Sequence, residues 1–226
     1  MGLLVKAAAL ATVGLIVALA RPDVASEVSQ AGHQALNQAQ ASFATLTGPD
    51  VSALGFSGGT KATWDRCTVD VVLNPEGQPE SFDTVLTSSL AELNSASPVQ
   101  FVYAGTTDEV ATPGSYDGVD GPIVISFVSD GQYPLDVPGA AAEFFSSYSN
   151  STRTSGALAI NVDSFATLPT VGPGSQQAVV LHELSHGVGV GHSSDPQSLM
   201  FASTGPASTL TADVKARFAQ LRPSGC

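Results

Sequence analysis

The sequence predicts a domain of the α+β class with α/β character, in which a mixed, mostly parallel, twisted sheet of about five strands carries a histidine-bearing helix and a C-terminal helix. Three observations predict it. Thr68 to Leu73 alternates as a strand, an amphipathic helical pattern follows, and Val99 to Ala104 reads as a second strand; that order implies a right-handed crossover between parallel neighbours. Ile123-Val124-Ile125-Ser126-Phe127-Val128 is apolar nearly throughout, as suits a central strand covered on both faces. After a further strand, two helical patterns occupy the C-terminal part, separated by a polar loop.

Taken in order, Met1 to Lys6 followed by the apolar run Ala7–Ala20 matches an export signal, residues 1–20, with Ala18-Leu19-Ala20 as the cleavage site. Counting Leu3 to Val5 into the run leaves an uncleaved membrane anchor open. Residues 21–60 are rich in Ala, Gln, Ser and Gly. Val24, Val28, Ala31, Ala35, Ala39, Phe43 and Leu46 recur at helical spacing, and a Gly/Ser linker runs from Thr47 to Thr60, so this part reads as a pro-segment, stalk or linker. His33, on that helix, reads as solvated. The globular part, 61–226, opens at Trp64–Cys67. Asn74-Pro75-Glu76-Gly77 turns the chain out of the first strand.

In the next helix Phe82, Val85, Leu86, Leu90 and Leu93 share one face; Ser81 or Asp83 caps it, and Pro98 stops it. Asp117-Gly118-Val119-Asp120-Gly121 reads as an Asx-type turn, since EF-hand spacing is missing. Ala157 to Val162 reads as the next strand. Gly172-Pro173-Gly174-Ser175 breaks the chain before the histidine helix, with Ser175 as N-cap and Val179, Val180 and Leu184 facing the core. Thr209 to Asp213 opens the last helix, which carries Val214, Phe218 and Leu221 and ends before Pro223.

The chemistry concentrates in His182-Glu183-Leu184-Ser185-His186-Gly187-Val188-Gly189-Val190-Gly191-His192. Residues four apart lie above one another on a helix, so His182 and His186 can grip one ion. A third ligand needs the chain to turn back. Gly189 is where the helix ends most easily, in a left-handed conformation, and His192 then returns to the metal. Zinc held by three imidazoles keeps an open position for water, which marks a catalytic site. Glu183 follows the first ligand directly and is the candidate general base. Three of the four histidines in the chain belong to this stretch.

These residues resemble the long signature of the metzincin metallopeptidases, and Ser193 to Met200 resembles their Met-turn. Ser193, directly after the third histidine, points to the matrixin branch. The resemblance covers the chain from about Trp64 onward and is strongest from His182 to Met200. It implies a metzincin catalytic domain, a peptidase activity and a supporting role for Met200 in the turn near the metal. From family order, Val137 to Phe145 holds the edge strand that takes extended substrate by strand addition. Phe201-Ala202 departs from the tyrosine and proline that matrixins place there, so substrate preference does not carry over, and Phe201 offers no hydroxyl to an oxyanion. No histidines remain in the globular part for a second, structural zinc. Calcium is compatible with the family, but no motif here supports it.

With 226 residues, of which 43% are hydrophobic, the chain can bury one good core. Its net charge of −12, with eight Lys and Arg, argues against nucleic acid and anionic membranes as partners. The acidity suits a soluble secreted protein, and a preference for basic substrates is its functional version. Two cysteines in an exported chain argue for one disulfide, Cys67–Cys226; Cys67 as a zinc-blocking cysteine is the alternative, although its flanks do not match that switch. The expectation is a secreted, monomeric zinc endopeptidase acting on protein or peptide substrates, with activity falling below about pH 6 as the imidazoles titrate. The alternatives are a zinc hydrolase of another amide, such as cell-wall peptides, and a non-catalytic secreted module stabilised by zinc.

Overall fold

The structure, a computed structural model, describes residues 56–57, 63–113, 116, 119–129, 132, 135, 140–150, 152–170, 174–203, 205–221 and 223. These belong to one unit, Asp50–Cys226. The expected signal or anchor and the helix carrying His33 lie outside the described residues.

The described elements are β1 (Phe56–Ser57), β2 (Thr63–Trp64), β3 (Thr68–Leu73), α1 (Phe82–Asn94), β4 (Gln100–Thr106), β5 (Ile123–Val128), β6 (Ala142–Ser149), β7 (Thr152–Asn161), α2 (Val162–Thr167), α3 (Ser175–Val188), β8 (His192–Ser193) and α4 (Ala212–Phe218), with a 3-10 turn at Leu168–Thr170. The main sheet has six strands, ordered β4-β3-β5-β7, with β2 beside the first residues of β7 and β6 also on β7. All its pairings are parallel except β6 with β7. The mostly parallel mixed sheet of an α/β class is therefore present, and the expected crossover is β3–α1–β4.

Helices cover one face. Phe82, Leu86, Leu90 and Leu93 of α1 and Val180, Leu181, Leu184 and Val188 of α3 pack with Val69, Val71, Phe101, Ile123, Ile125, Leu158 and Ile160 of the sheet. Each such side chain taken fully from water contributes about 1.5–3 kcal/mol. On the opposite face, Val124 and Ala157 meet Ala111, with Tyr116 and Phe145 packed against them. Both faces of β5 are thus covered, which explains its unbroken apolar run.

Four expectations are corrected. The N-cap of α3 is Gly174, at φ 80°, and not Ser175, which is the first helical residue; glycine takes this left-handed conformation without the penalty a Cβ brings, and a Cβ here would also meet Ser208 at 3.0 Å. The edge strand is Ala142–Ser149, so it overlaps the expected Val137–Phe145 only in its first residues. The expected linker contains β1, which pairs with β8. An unforeseen helix, α2, follows β7 at once, capped by the Asn161 side chain, which accepts from the N–H groups of Asp163 at 3.1 Å and Ser164 at 3.2 Å. Ser81 does stand at the N-cap of α1, but makes no side-chain cap bond.

Candidate metal centre

Helix α3 supplies two imidazoles at neighbouring turns, and its inner face, from Ala178 to Val188, is buried against the sheet. Two anchors from distant sequence fix it. The Trp64 Nε1–H donates to the Gly187 carbonyl at 2.9 Å, fully buried. The Glu92 carboxylate of α1 accepts from the Gln177 side chain at 3.0 Å and from the Leu210 N–H at 2.7 Å, tying α3 and the approach to α4 to the same helix. Trp64 is itself held by two guanidinium groups, Arg66 at 5.0 Å and the buried Arg153 at 5.9 Å from its ring. Gly187 has no Cβ for a reason of space: one would meet Phe144 at 3.0 Å and Phe101 at 3.2 Å.

His192 joins the pair. The helix stops at Gly189, φ 121°, whose N–H still bonds to Ser185 at 3.1 Å and His186 at 3.0 Å, and the chain turns back into β8. The Nε2 atom of His186 lies 3.1 Å from that of His182 and 3.2 Å from that of His192. The Nδ1 of His182 is 2.8 Å from the Leu199 carbonyl and that of His186 is 2.7 Å from the Val190 carbonyl. A carbonyl oxygen only accepts, so both Nδ1 atoms carry the proton and, in the neutral rings, both Nε2 atoms are bare. Lone pairs converging at this distance repel unless a cation lies among them. Zinc at about 2.0–2.1 Å from each nitrogen in tetrahedral geometry holds its ligands about 3.3–3.4 Å apart, close to what is found. Buried Nδ1–H donors to backbone carbonyls are also how zinc-binding imidazoles are oriented. The residues present fit such an ion.

Met200 is fully buried in a turn that serves the same rings. Its carbonyl accepts from the Ser193 N–H at 2.7 Å and its own N–H donates to Ser198 Oγ at 3.1 Å, while Leu199, just before it, supplies the carbonyl that orients His182. The turn is pinned from α4: Ser198 Oγ–H donates to Asp213 at 2.6 Å, and Leu199 N–H to Thr211 Oγ1 at 3.2 Å.

Glu183 is buried, with 9% of its surface exposed. Its pKa is pushed up to about 8, first by burial, then by the negative charge of Glu143 on β6, and it is held back by a hydrogen bond from the Phe144 backbone. The histidines move the other way. Burial is the main cause for all three: His182 falls to about 4, helped by the charge of His192; His186 lies well below its usual value, and His192 is lowered. All three thus favour the neutral form that binds metal.

The structure therefore brings together His182, His186, His192 and Glu183, with Met200 in the adjoining turn. Among the described residues the three histidines form the one grouping of three His, Cys, Asp or Glu side chains able to hold a metal ion. Sequence reading missed Trp64 as an anchor of α3, Glu92 as a double acceptor, Glu143 beside the base and Asp213 behind the turn. Their signal lay in being polar or aromatic within apolar patterns. Cys67 is exposed before β3 and no described cysteine is free, but Cys226 lies outside the described residues, as do Asp117 and Gly118 of the expected turn. Asp120 of that turn pairs with Arg66 at 3.5 Å.

No family model matches the chain. Part of it is similar to the 1,4-alpha-glucan branching enzyme GlgB of Nitrosospira multiformis, with 30% identity over 109 residues, which is 47% of this chain and 15% of that protein. The chain thus spans only a small fraction of that relative.

Proposed function

We propose that the chain is a secreted, zinc-dependent endopeptidase of the metzincin type, matrixin-like in its ligand stretch, with His182, His186 and His192 holding the ion and Glu183 acting as general base. One observation carries this reading: three imidazole Nε2 atoms converge, two of them stripped of protons by backbone carbonyls, on the helix that bears a buried glutamate next to the first ligand. When bound, zinc supplies Lewis acidity to water and to the scissile carbonyl. The carbonyls of Leu199 and Val190 hold the rings in register and raise their basicity. In the metal-free chain burial raises the Glu183 carboxyl to about 8; a dication beside it would favour the ionised form, leaving a carboxylate that takes a proton from water and returns it to the departing amine.

Edge strand β6 pairs with β7 alone among the described strands and packs against α3. An extended peptide would add to it as a further strand, which sets the scissile bond beside the helix. Export rests on the N-terminal pattern, and no helix among the described residues is long and apolar enough to cross a membrane.

The test is zinc content of the purified full chain, together with cleavage of a mixed peptide library by wild type and Glu183→Gln. One zinc per chain, internal cuts by wild type and loss of cutting in the variant are expected. A chain that holds zinc but leaves every library peptide intact would overturn the endopeptidase reading; cutting of cell-wall peptides in its place would assign the other amide.

A further inference from the structure

Strand β1 pairs antiparallel with β8, matching Phe56 with Ser193 and Ser57 with the ligand residue His192. The other flank of β8 faces the Met200 turn, where the Ser193 N–H donates to the Met200 carbonyl and Ser193 bridges to Phe201. In an extended chain the N–H and C=O of one residue point to the same flank and those of the next residue to the opposite one. Since the backbone of Ser193 is turned to the Met200 side, that of His192 is turned to β1. The His192–Ser57 match is therefore the hydrogen-bonded pair of this short ladder, and Phe56–Ser193 is the open one.

We infer that the Ser57 backbone is a positioning element of the metal site: it straps the third ligand residue in place from the flank opposite the Met200 turn. This rests on the zinc reading only for its functional meaning. Of the three ligands, His192 alone is outside a helix; its strand is two residues long, and a two-residue strand does not hold its own direction. With the Met200 turn on one flank and Ser57 on the other, both edges of that strand are paired. Ser57, within a stretch that reads from its composition as linker, thus belongs to the site. Any maturation cut that leaves the metal affinity intact must fall before Phe56, consistent with a structural unit that begins at Asp50.

The experiment uses the full chain with Ser57→Pro, Phe56→Pro and Ser57→Ala. Proline at 57 removes the N–H given to the His192 carbonyl, proline at 56 removes one that points away from β8, and alanine keeps the backbone pair. Zinc affinity is read by competition with a chromophoric chelator, and amide hydrogen exchange is read on the metal-free chain. We expect Ser57→Pro to weaken zinc binding about tenfold, the low end for loss of a group that orients a ligand, and to speed exchange at the His192 amide by at least as much. Phe56→Pro and Ser57→Ala should match wild type in both. Equal affinity and equal His192 exchange in Ser57→Pro, or equal damage from Phe56→Pro, would overturn the strap. If wild type takes up no zinc, the peptidase reading fails, while the exchange pattern still decides this one.

Discussion

Two of the three proposed ligands stand on a helix and one stands on a strand of two residues, and their supports differ in kind. His182 and His186 are placed by α3, a 14-residue helix whose inner face is buried and whose carbonyl at Gly187 is gripped by Trp64. Their spacing is a property of any α-helix, so local sequence suffices to set it. His192 is placed by a turn at Gly189, a bond from Ser193 to Met200 and the pairing with Ser57. None of these is intrinsic to the ligand's own element. The helix-borne pair is placed by a helix whose inner face belongs to the core, and the third is only as well placed as its neighbours make it.

Damage on the helix side should be the largest. Replacing His182 or His186 by alanine removes a proposed ligand for which no other grouping among the described residues substitutes, and zinc content should fall to background by elemental analysis. Glu183→Gln should leave zinc in place and cut peptide hydrolysis by roughly 10²–10⁴-fold, the range for losing a general acid–base group. Retention of wild-type hydrolysis in that variant would remove Glu183 from the chemistry.

The two glycines around the helix end separate the supports. Gly187→Ala pushes a methyl against Phe144 and Phe101 inside the core and should cost about 1–3 kcal/mol of stability, read by denaturant unfolding, with zinc affinity little changed in the folded fraction. Gly189→Ala forces a side chain to φ 121°, a strain of about 1–3 kcal/mol placed where the chain turns toward His192. Its signature should be a tenfold or greater loss of zinc affinity. If the two variants fail alike, the site does not have separable halves.

The metal-free protein should show the same site as a pH dependence with two opposed limbs. Its imidazoles titrate lower folded than unfolded, so as pH falls the unfolded chain binds protons first; stability is intact above about 6.5 and is lost toward about 4. Glu183 has the opposite sign. Its folded pKa is raised from 4.5 to about 8, so stability present below about 4.5 is lost as pH rises through that window. Glu183→Gln should therefore stabilise the metal-free chain above pH 8 and leave the acid limb unchanged, as followed by urea midpoints against pH. An acid limb that shifts with the variant would contradict the assignment of that limb to the histidines.

What is legible in the sequence follows from the same division. The histidine cluster, the helix end at Gly189, the β3–α1–β4 crossover and the doubly covered β5 are local or periodic features, and chain chemistry specifies them directly. Trp64 and Gly187 are 123 residues apart, and Glu92 reaches Leu210 across 118; a hydrogen bond over such a separation leaves no periodic trace. At the start of α3, Ser175 has the better capping side chain, whereas the backbone needs the φ that Gly174 allows. Helix α2 is legible in Asn161-Val162-Asp163, which carries both a capping side chain and an acidic first turn.

A smaller effect on the metal than that of Gly189→Ala should come from a support that reaches the rings only through the Met200 turn. Ser198 is buried and links two things: its hydroxyl donates to Asp213 of α4 and accepts from the Met200 N–H. Ser198→Ala leaves the Met200 N–H without that acceptor and the Asp213 carboxylate short of a donor, which costs about 1–3 kcal/mol when such groups stay dry. The loss reaches the metal only through the Leu199 carbonyl on His182 Nδ1, one residue away, so zinc affinity should drop a few-fold while unfolding moves clearly. Asp213→Asn by itself keeps an acceptor opposite the Ser198 hydroxyl and should retain most of the wild-type affinity. Were Ser198→Ala to weaken zinc as strongly as Gly189→Ala, the turn would rank as an equal partner in placing the ligands, and the helix-borne pair would depend on its surroundings as much as His192 does.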